Sequence, residues 1–266
     1  VLDERAAAGE ETFRIGVEYE GTAFSGWQRQ PRARTVQGEL ERALERIVGA
    51  RVTVNGAGRT DAGCHAVGQV ASFAAATRLA PERLRLALNA HLPADVRVVE
   101  AAIAPRRFHA RFRAMRRGYR YLIVPEPAAI RRDHAWARRM RVGIEALNAA
   151  VAPLLGEHDF TTFSRQGGDE ISPICRVTRA AWSGARGFFR FDIEADRFLY
   201  TMVRRIVSTV IVATEQGGGP AAVRTALESK RRRLGAPPAP AHGLYLMRVR
   251  YPGLGWIPKE RMHVVA

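Results

Sequence analysis

The sequence predicts an α+β protein of two lobes, built on mainly antiparallel sheet with helices packed on one face. Three observations lead there. Segments of period two alternate with stretches of helical period in the order strand, helix, strand, strand, helix, strand over residues 13–101. The connections are hairpin-like, and a second set of similar segments follows residue 117.

Each element has a local cause. Phe13 to Tyr19 alternates apolar with polar or small side chains, as a half-buried strand does, and the glycines after it mark a loop. Thr35 can cap a helix over 36–48, where Val36, Leu40, Ala43, Leu44 and Ile47 form one stripe and Gly49 ends it. A short strand is expected at Val52–Val54. After the glycine-rich stretch from Gly56 to Gly68, Val70–Phe73 is extended, Pro81 opens a helix carrying Leu84 and Leu88, and Val96–Ala101 is extended again. The second set begins with a strand over Arg117–Val124 and a helix through Ile144, Leu147, Val151 and Leu154. Strands at Val177–Trp182 and Phe188–Glu194 follow, then a long helix over Leu199–Glu215 with Met202, Val203, Ile206 and Val210 inward. Gly235–Ala241 is a proline-rich loop, since proline cannot donate to a ladder, and Leu244–Tyr251 is a final strand. The boundary falls between Ile103 and Ile144. It predicts one half over 12–104, carrying the glycine-rich aspartate loop, and another over 105–252, with extensions at 1–11 and 253–266.

A chain of 266 residues, 47% hydrophobic and 26% charged, can bury a substantial core. No apolar run reaches the roughly 20 residues that span a bilayer. The acidic start, Asp3, Glu4, Glu10 and Glu11, lacks the order of a signal peptide, so a soluble cytoplasmic protein without a membrane partner is expected. Cys64 and Cys175 form neither a disulfide framework nor a CxxC metal pair. The net charge of +16 rests on 42 basic residues, all arginine except Lys230 and Lys259, and favours a polyanionic partner. Richness in alanine and glycine points to a coding bias towards arginine, so distribution matters more than total. Between Arg106 and Arg120 stand seven arginines and no acid, interleaved with Phe108, His109, Phe112 and Tyr119. Guanidinium groups for phosphates and aromatic faces for unstacked bases suit single-stranded or looped RNA, and the alternation favours that over a merely solvated strand face. A second cluster, Arg131, Arg132, Arg138, Arg139 and Arg141, leaves the two readings open.

The stretch Gly56-Ala57-Gly58-Arg59-Thr60-Asp61-Ala62-Gly63-Cys64-His65 sets glycines around one carboxylate. Such density means a tight turn or close approach. It fails as a dinucleotide fingerprint, because Asp61 takes the place of the third glycine, and it lacks the Gly-Lys-Ser/Thr ending of a phosphate loop. By spacing alone, Asp61 as an ordinary turn former stands ahead of Asp61 as a catalyst. His65 beside Cys64 is short of the three or four ligands of a zinc site, and Ser164, His158 and Asp159 lack the glycines of a nucleophile elbow.

Resemblance adds what spacing cannot. Gly58 to Ala66 resembles the GRTDAGVHA signature of the TruA family of tRNA pseudouridine synthases, with Cys64 where valine is usual. Tyr19-Glu20-Gly21-Thr22 and Gly26-Trp27-Gln28-Arg29-Gln30 are similar to the family's opening strand and loop, though Glu20 replaces a common aspartate. Phe108-His109-Ala110-Arg111-Phe112 and Tyr119-Arg120-Tyr121 resemble its FHARF and YRY elements. Phe198 with Met202-Val203-Arg204 and Ile206-Val207 looks like the FLxxMVRxIVG helix, with Ser208 for glycine, and Gly243-Leu244-Tyr245-Leu246 is similar to the closing strand.

The resemblance implies two ferredoxin-like or RRM-like halves with an active-site cleft between them, and a homodimer that works without cofactor or metal. It implies isomerisation of uridine to pseudouridine at positions 38, 39 and/or 40 of the tRNA anticodon stem-loop. Asp61 would be the catalytic carboxylate, Arg204 its partner, and Tyr119 and Leu244 the residues against the target uracil. Arg59 would occupy the space left by the flipped nucleotide, and Phe108, His109, Ala110, Arg111 and Phe112 would line the RNA path. Two alternatives stand beside this: a non-catalytic RNA-binding protein with RRM-like sheets, and a uracil or nucleoside glycosylase that also uses a carboxylate.

Overall fold

The structure is a computed structural model and describes residues 9–127, 129, 132–167, 172–185 and 187–258. Outside these lie Arg131 of the second basic cluster and residues 1–8 and 259–266 of the expected extensions. In chain order the elements are β1 (Glu11–Tyr19), α1 (Val36–Val48), β2 (Asn55–Gly56), β3 (His65–Ala75), α2 (Pro81–His91) and β4 (Val96–Ile103). There follow β5 (Arg116–Val124), β6 (Trp136–Ala137), α3 (Ile144–Val151), β7 (Gly156–Asp159), β8 (Ile174–Ala185) and β9 (Phe188–Ala195). Last come α4 (Met202–Glu215), α5 (Gly219–Ser229), β10 (Leu244–Tyr251) and β11 (Gly255–Ile257). The α+β class with mainly antiparallel pairing is the one expected.

The chain forms two compact units, one running through Met115 and resuming at Leu246, the other Arg116–Tyr245. This division differs from consecutive halves of 12–104 and 105–252. The stretch from Leu246 lies beside β3, so close that a Cβ added at Gly68 would stand 2.2 Å from the Met247 carbonyl oxygen. Residues 105–115 are held there too: Ala110 N–H donates to Ser72 Oγ at 3.0 Å, and Met115 N–H to the Arg250 carbonyl at 2.8 Å.

In unit 1 the strand order is β4-β1-β3, antiparallel throughout, with β2 on the other side of β3. That is the split β-α-β arrangement, in which the strand after the first helix leaves room for another beside the first. Phe13 faces Phe73 across the ladder, and their rings stack at 5.6 Å. Phe13, Ile15 and Val17 of β1, Leu40 and Leu44 of α1, and Leu84 and Leu88 of α2 are fully buried. Thr35 caps α1 as its spacing predicts: its backbone is extended and its Oγ1 accepts from Gly38 N–H, while Gly49 ends the helix at φ 77°. Val52–Val54 is not a strand, and the ladder comes one residue later at β2. Side chains of α1 replace the missing partner, because Glu41 Oε1 accepts from Val54 N–H at 3.1 Å and Gln37 Nε2 donates to the Val54 carbonyl at 3.1 Å.

Unit 2 repeats the theme with the order β5-β9-β8-β7, antiparallel, and β6 parallel against the end of β5. Helices α3, α4 and α5 pack on one another, with α3 on β8 and α4 on β5. The long helix starts at Met202 rather than Leu199, because Thr201 takes a left-handed φ of 62° that no helix tolerates. The sequence reading missed α5, β6, β7 and β11. Helix α5 follows Gly217-Gly218 directly, with Pro220 in its first turn.

Candidate active site

The aspartate loop of unit 1 is held by main-chain contacts to the loop after β1. Thr60 is buried; its carbonyl accepts from Trp27 N–H at 3.1 Å and its hydroxyl lies 2.8 Å from that of Tyr19. Asp61 carbonyl accepts from Cys64 N–H at 3.1 Å, closing a turn whose third residue, Gly63, has the positive φ of 78° that a type II turn requires. Gly63 N–H donates in turn to the Phe24 carbonyl at 3.2 Å. Two glycines allow the loops to approach. A Cβ at Gly21 would stand 1.9 Å from the Cys64 carbonyl oxygen, and one at Gly26, where φ is 90°, 2.6 Å from that of Thr60. Below the loop, Gln69 Nε2 donates to the Gly58 carbonyl at 2.7 Å, and the buried His65 Nδ1 accepts from Gly21 N–H at 2.9 Å. Burial alternates along the loop: Arg59 exposed, Thr60 buried, Asp61 half-buried, Ala62 exposed. A rigid frame thus presents one carboxylate at the surface of unit 1, with an arginine two positions before it.

The expected RNA-path segment also belongs to unit 1. Ala110 is fully buried and acts as its anchor, its carbonyl accepting from Tyr251 OH at 2.8 Å. Phe108 packs on the Tyr251 ring at 5.2 Å. Beyond the anchor Arg111 is exposed, Phe112 is 75% exposed, and the His109 ring lies 4.4 Å from that of Phe112. Burial lowers the His109 imidazole below its ordinary value. Not every arginine of the cluster faces solvent: Arg120 is buried and its Nε donates to Asp192 Oδ1 at 2.9 Å, so it is a structural residue of β5.

Unit 2 carries the remaining candidates. Tyr119 lies on β5 opposite Ile193, nearly buried, with its ring edge-on to Phe198 at 4.9 Å. Arg204 stands in the first turn of α4. Its Nε donates to the Ala239 carbonyl at 2.7 Å, and its own carbonyl accepts from Ala239 N–H at 3.1 Å. The proline-rich loop is therefore a strap on α4, further secured by Ser208 Oγ donating to the Pro237 carbonyl and Ala236 N–H donating to Thr209 Oγ1 at 2.9 Å. Leu244, buried at the start of β10, follows Gly243, where a Cβ would stand 2.6 Å from the Tyr121 ring. Sequence reasoning missed the Tyr19–Thr60 contact and the strap on Arg204. Neither has a sequence signal beyond the motifs themselves, because both join segments remote in sequence. The cluster Ser164, His158 and Asp159 is no triad: Ser164 Oγ donates to the Thr161 carbonyl, Asp159 Oδ1 accepts from Thr161 N–H, and His158 Nε2 bonds the Leu155 carbonyl.

Known proteins match this arrangement over most of its length. Residues 15–113 and 150–252 match the family model described as tRNA pseudouridine synthase. A tRNA pseudouridine synthase A of Chlorobaculum tepidum is 43% identical over 249 residues, covering 92% of this chain and 100% of that protein. Its namesakes in Thermosipho melanesiensis and Agrobacterium fabrum are 42% and 40% identical, covering 90% and 94% of this chain and 99% and 95% of theirs. The class these matches define is an RNA-modifying enzyme of α+β build. More narrowly, the chain belongs to the tRNA pseudouridine synthase family.

Proposed function

We propose that this chain isomerises uridines 38, 39 and/or 40 in the anticodon stem-loop of tRNA, with Asp61 as the catalytic carboxylate, as a cytoplasmic homodimer. The coarser activity, uridine to pseudouridine in tRNA, follows from family membership. The observation that carries the assignment of Asp61 is its loop: a half-buried carboxylate on a backbone clamped by Trp27 and Phe24, with the preceding Thr60 hydroxyl against that of Tyr19. A preorganised charge loses no orientation energy when positive character develops nearby.

In the reaction the N1–C1′ bond breaks, the uracil turns, C5 joins C1′ and the C5 proton leaves. The ribose becomes electron-poor as the base departs, and Asp61 acts on it there, by covalent attack or by removing a sugar proton, its negative charge favouring either role. No atom is gained besides the exchanged proton and no electrons are lost, so the chemistry needs no redox cofactor. Arg204, with its Nε fixed on Ala239, is the cation that keeps Asp61 ionised and oriented. Tyr119 and Leu244 sandwich the uracil, and Tyr119 assists removal of the C5 proton. Arg59, exposed beside Asp61, fills the gap left by the flipped nucleotide. Arg111 and Phe112 face the RNA while Ala110 anchors their segment.

The test uses tRNA tritiated at uracil C5. Wild-type enzyme should release tritium and leave the RNA intact, while Asp61→Asn should bind tRNA within about twofold of wild type and release none, since phosphate contacts set affinity and one group sets rate. Free uracil as product would mean a glycosylase, and appreciable tritium release by the Asn variant would remove Asp61 from the mechanism.

A further inference from the structure

Unit 2 carries a cationic surface that the expected RNA path does not include. Lys230, Arg231, Arg232 and Arg233 follow one another at the end of α5, all exposed, and Arg165 is exposed as well. Hydrogen bonds tie these into one patch. Arg232 Nε donates to Ser164 Oγ at 3.3 Å, Arg165 N–H to the Tyr200 carbonyl at 3.0 Å, and the Arg205 guanidinium to the carbonyls of Arg232 and Gly235. The Arg165 guanidinium lies over the Tyr200 ring, 5.7 Å from its centre, and Tyr200 itself is 36% exposed.

Such an arrangement is electrostatically uncomfortable in the free protein. Arg205 is pushed below its ordinary pKa by burial and then by the neighbouring charge of Arg232, and its Nε is buried without a hydrogen-bond partner among the described residues. The ion pair at the patch joins Lys230 to Asp159 across a long 3.8 Å. Like charges held together, one of them partly desolvated, cost stability that a bound polyanion restores. Guanidinium groups match phosphate oxygens in planar, bidentate geometry, and an arginine-backed aromatic face suits an unstacked base, so the chemistry is that of RNA rather than of an acidic protein.

We infer that Arg165, Tyr200, Arg205 and Lys230–Arg233 form a second phosphate-binding surface that holds the backbone of the substrate tRNA. It uses no residue of the Arg106–Arg113 segment. The inference rests on the tRNA reading of the family and adds to it where the RNA is held.

The experiment measures tRNA affinity against salt for wild type, for Arg231→Ala with Arg233→Ala, for the same two positions as lysine, and for Arg83→Ala on α2. Arg231, Arg233 and Arg83 are all exposed. The log-log slope should flatten by about 1.4–1.8 in the alanine pair, two phosphate contacts at roughly 0.7–0.9 each, and stay near wild type in the lysine pair and in Arg83→Ala. An unchanged slope in the alanine pair overturns the inference, as does an equal loss in Arg83→Ala, which would make the effect one of total charge. A change confined to binding of anionic lipid vesicles overturns it too. If wild type itself bound tRNA without salt dependence, the tRNA reading would fall instead.

Discussion

Tyr19 is the residue where fold and chemistry meet most closely. Its hydroxyl lies 2.8 Å from that of Thr60, one position before Asp61, and both side chains are buried. The ring belongs to the core, packing near Trp27 at 6.1 Å, so Tyr19→Phe keeps the packing and removes the hydroxyl that meets Thr60. A neutral hydrogen bond is worth about 0.5–1.5 kcal/mol, and if it orients the carboxylate rather than only stabilising the fold, turnover should fall by up to about tenfold with KM unchanged. Steady-state kinetics separate the two: a lowered melting temperature with wild-type turnover would make Tyr19 a packing residue. The same scale explains Gly21 and Gly26, whose missing Cβ atoms let two loops touch main chain to main chain.

At the scale of elements, α1 does more than cover the sheet. Glu41 is nearly buried, with Oε1 accepting from Val54 N–H and from Gln37 Nε2, and Oε2 lying 3.2 Å from Arg29 Nη1. Gln37 Oε1 accepts from Arg29 N–H at 2.9 Å. One helix face thus holds both the segment leading into the aspartate loop and the loop that clamps it. Glu41→Ala leaves the Val54 N–H without this acceptor, while Gln37 Nε2 keeps the Val54 carbonyl, and one buried unsatisfied donor costs about 1–3 kcal/mol. Thermal denaturation should show a loss in that range, and a change below about 0.5 kcal/mol would mean that water replaces the carboxylate there. The alternation at Val52–Val54 could not reveal this, because the pattern of a strand is the same whether its partner is a strand or a helix side chain.

For the whole molecule, acid sensitivity follows from two histidines, one in each unit. Burial lowers both His109 and His242 below the ordinary 6.5, the latter against a partial offset from the Asp133 carboxylate. The unfolded chain therefore takes up protons first as pH falls below 6.5, so stability should decline from there down to the folded-state values and then level off with respect to these groups. Carboxylates act lower: Glu82 is held below 4.5 by its hydrogen bond to Arg85. Melting temperatures between pH 7.5 and 5.5 should fall in wild type and fall less in His109→Gln with His242→Gln; parallel declines would assign the effect to other groups. Among the described residues no helix is long and apolar enough to cross a membrane.

Local order was legible without coordinates wherever one segment carries its own instructions. The Thr35 cap and Gly49 stop of α1, the Pro81 start of α2 and the positions of β1, β5 and β9 depend on neighbours within a few residues and formed where expected, although β1, read as half-buried, is buried on both faces. The alternation of strands and helices along the chain and the motif around Asp61 were legible for a related reason, since a glycine-dense loop and a repeated strand-helix pattern are properties of the chain itself. Tertiary structure decided what depends on remote partners. It gave the stretch from Leu246 onward to unit 1, turned Val52–Val54 into a ledge for α1, buried Arg120 against Asp192, anchored Ala110 on Ser72 and Tyr251, and strapped Arg204 to Ala239. A side chain's type states what it can bond, but its burial and partner are set by segments tens of residues away, and only packing brings those segments together.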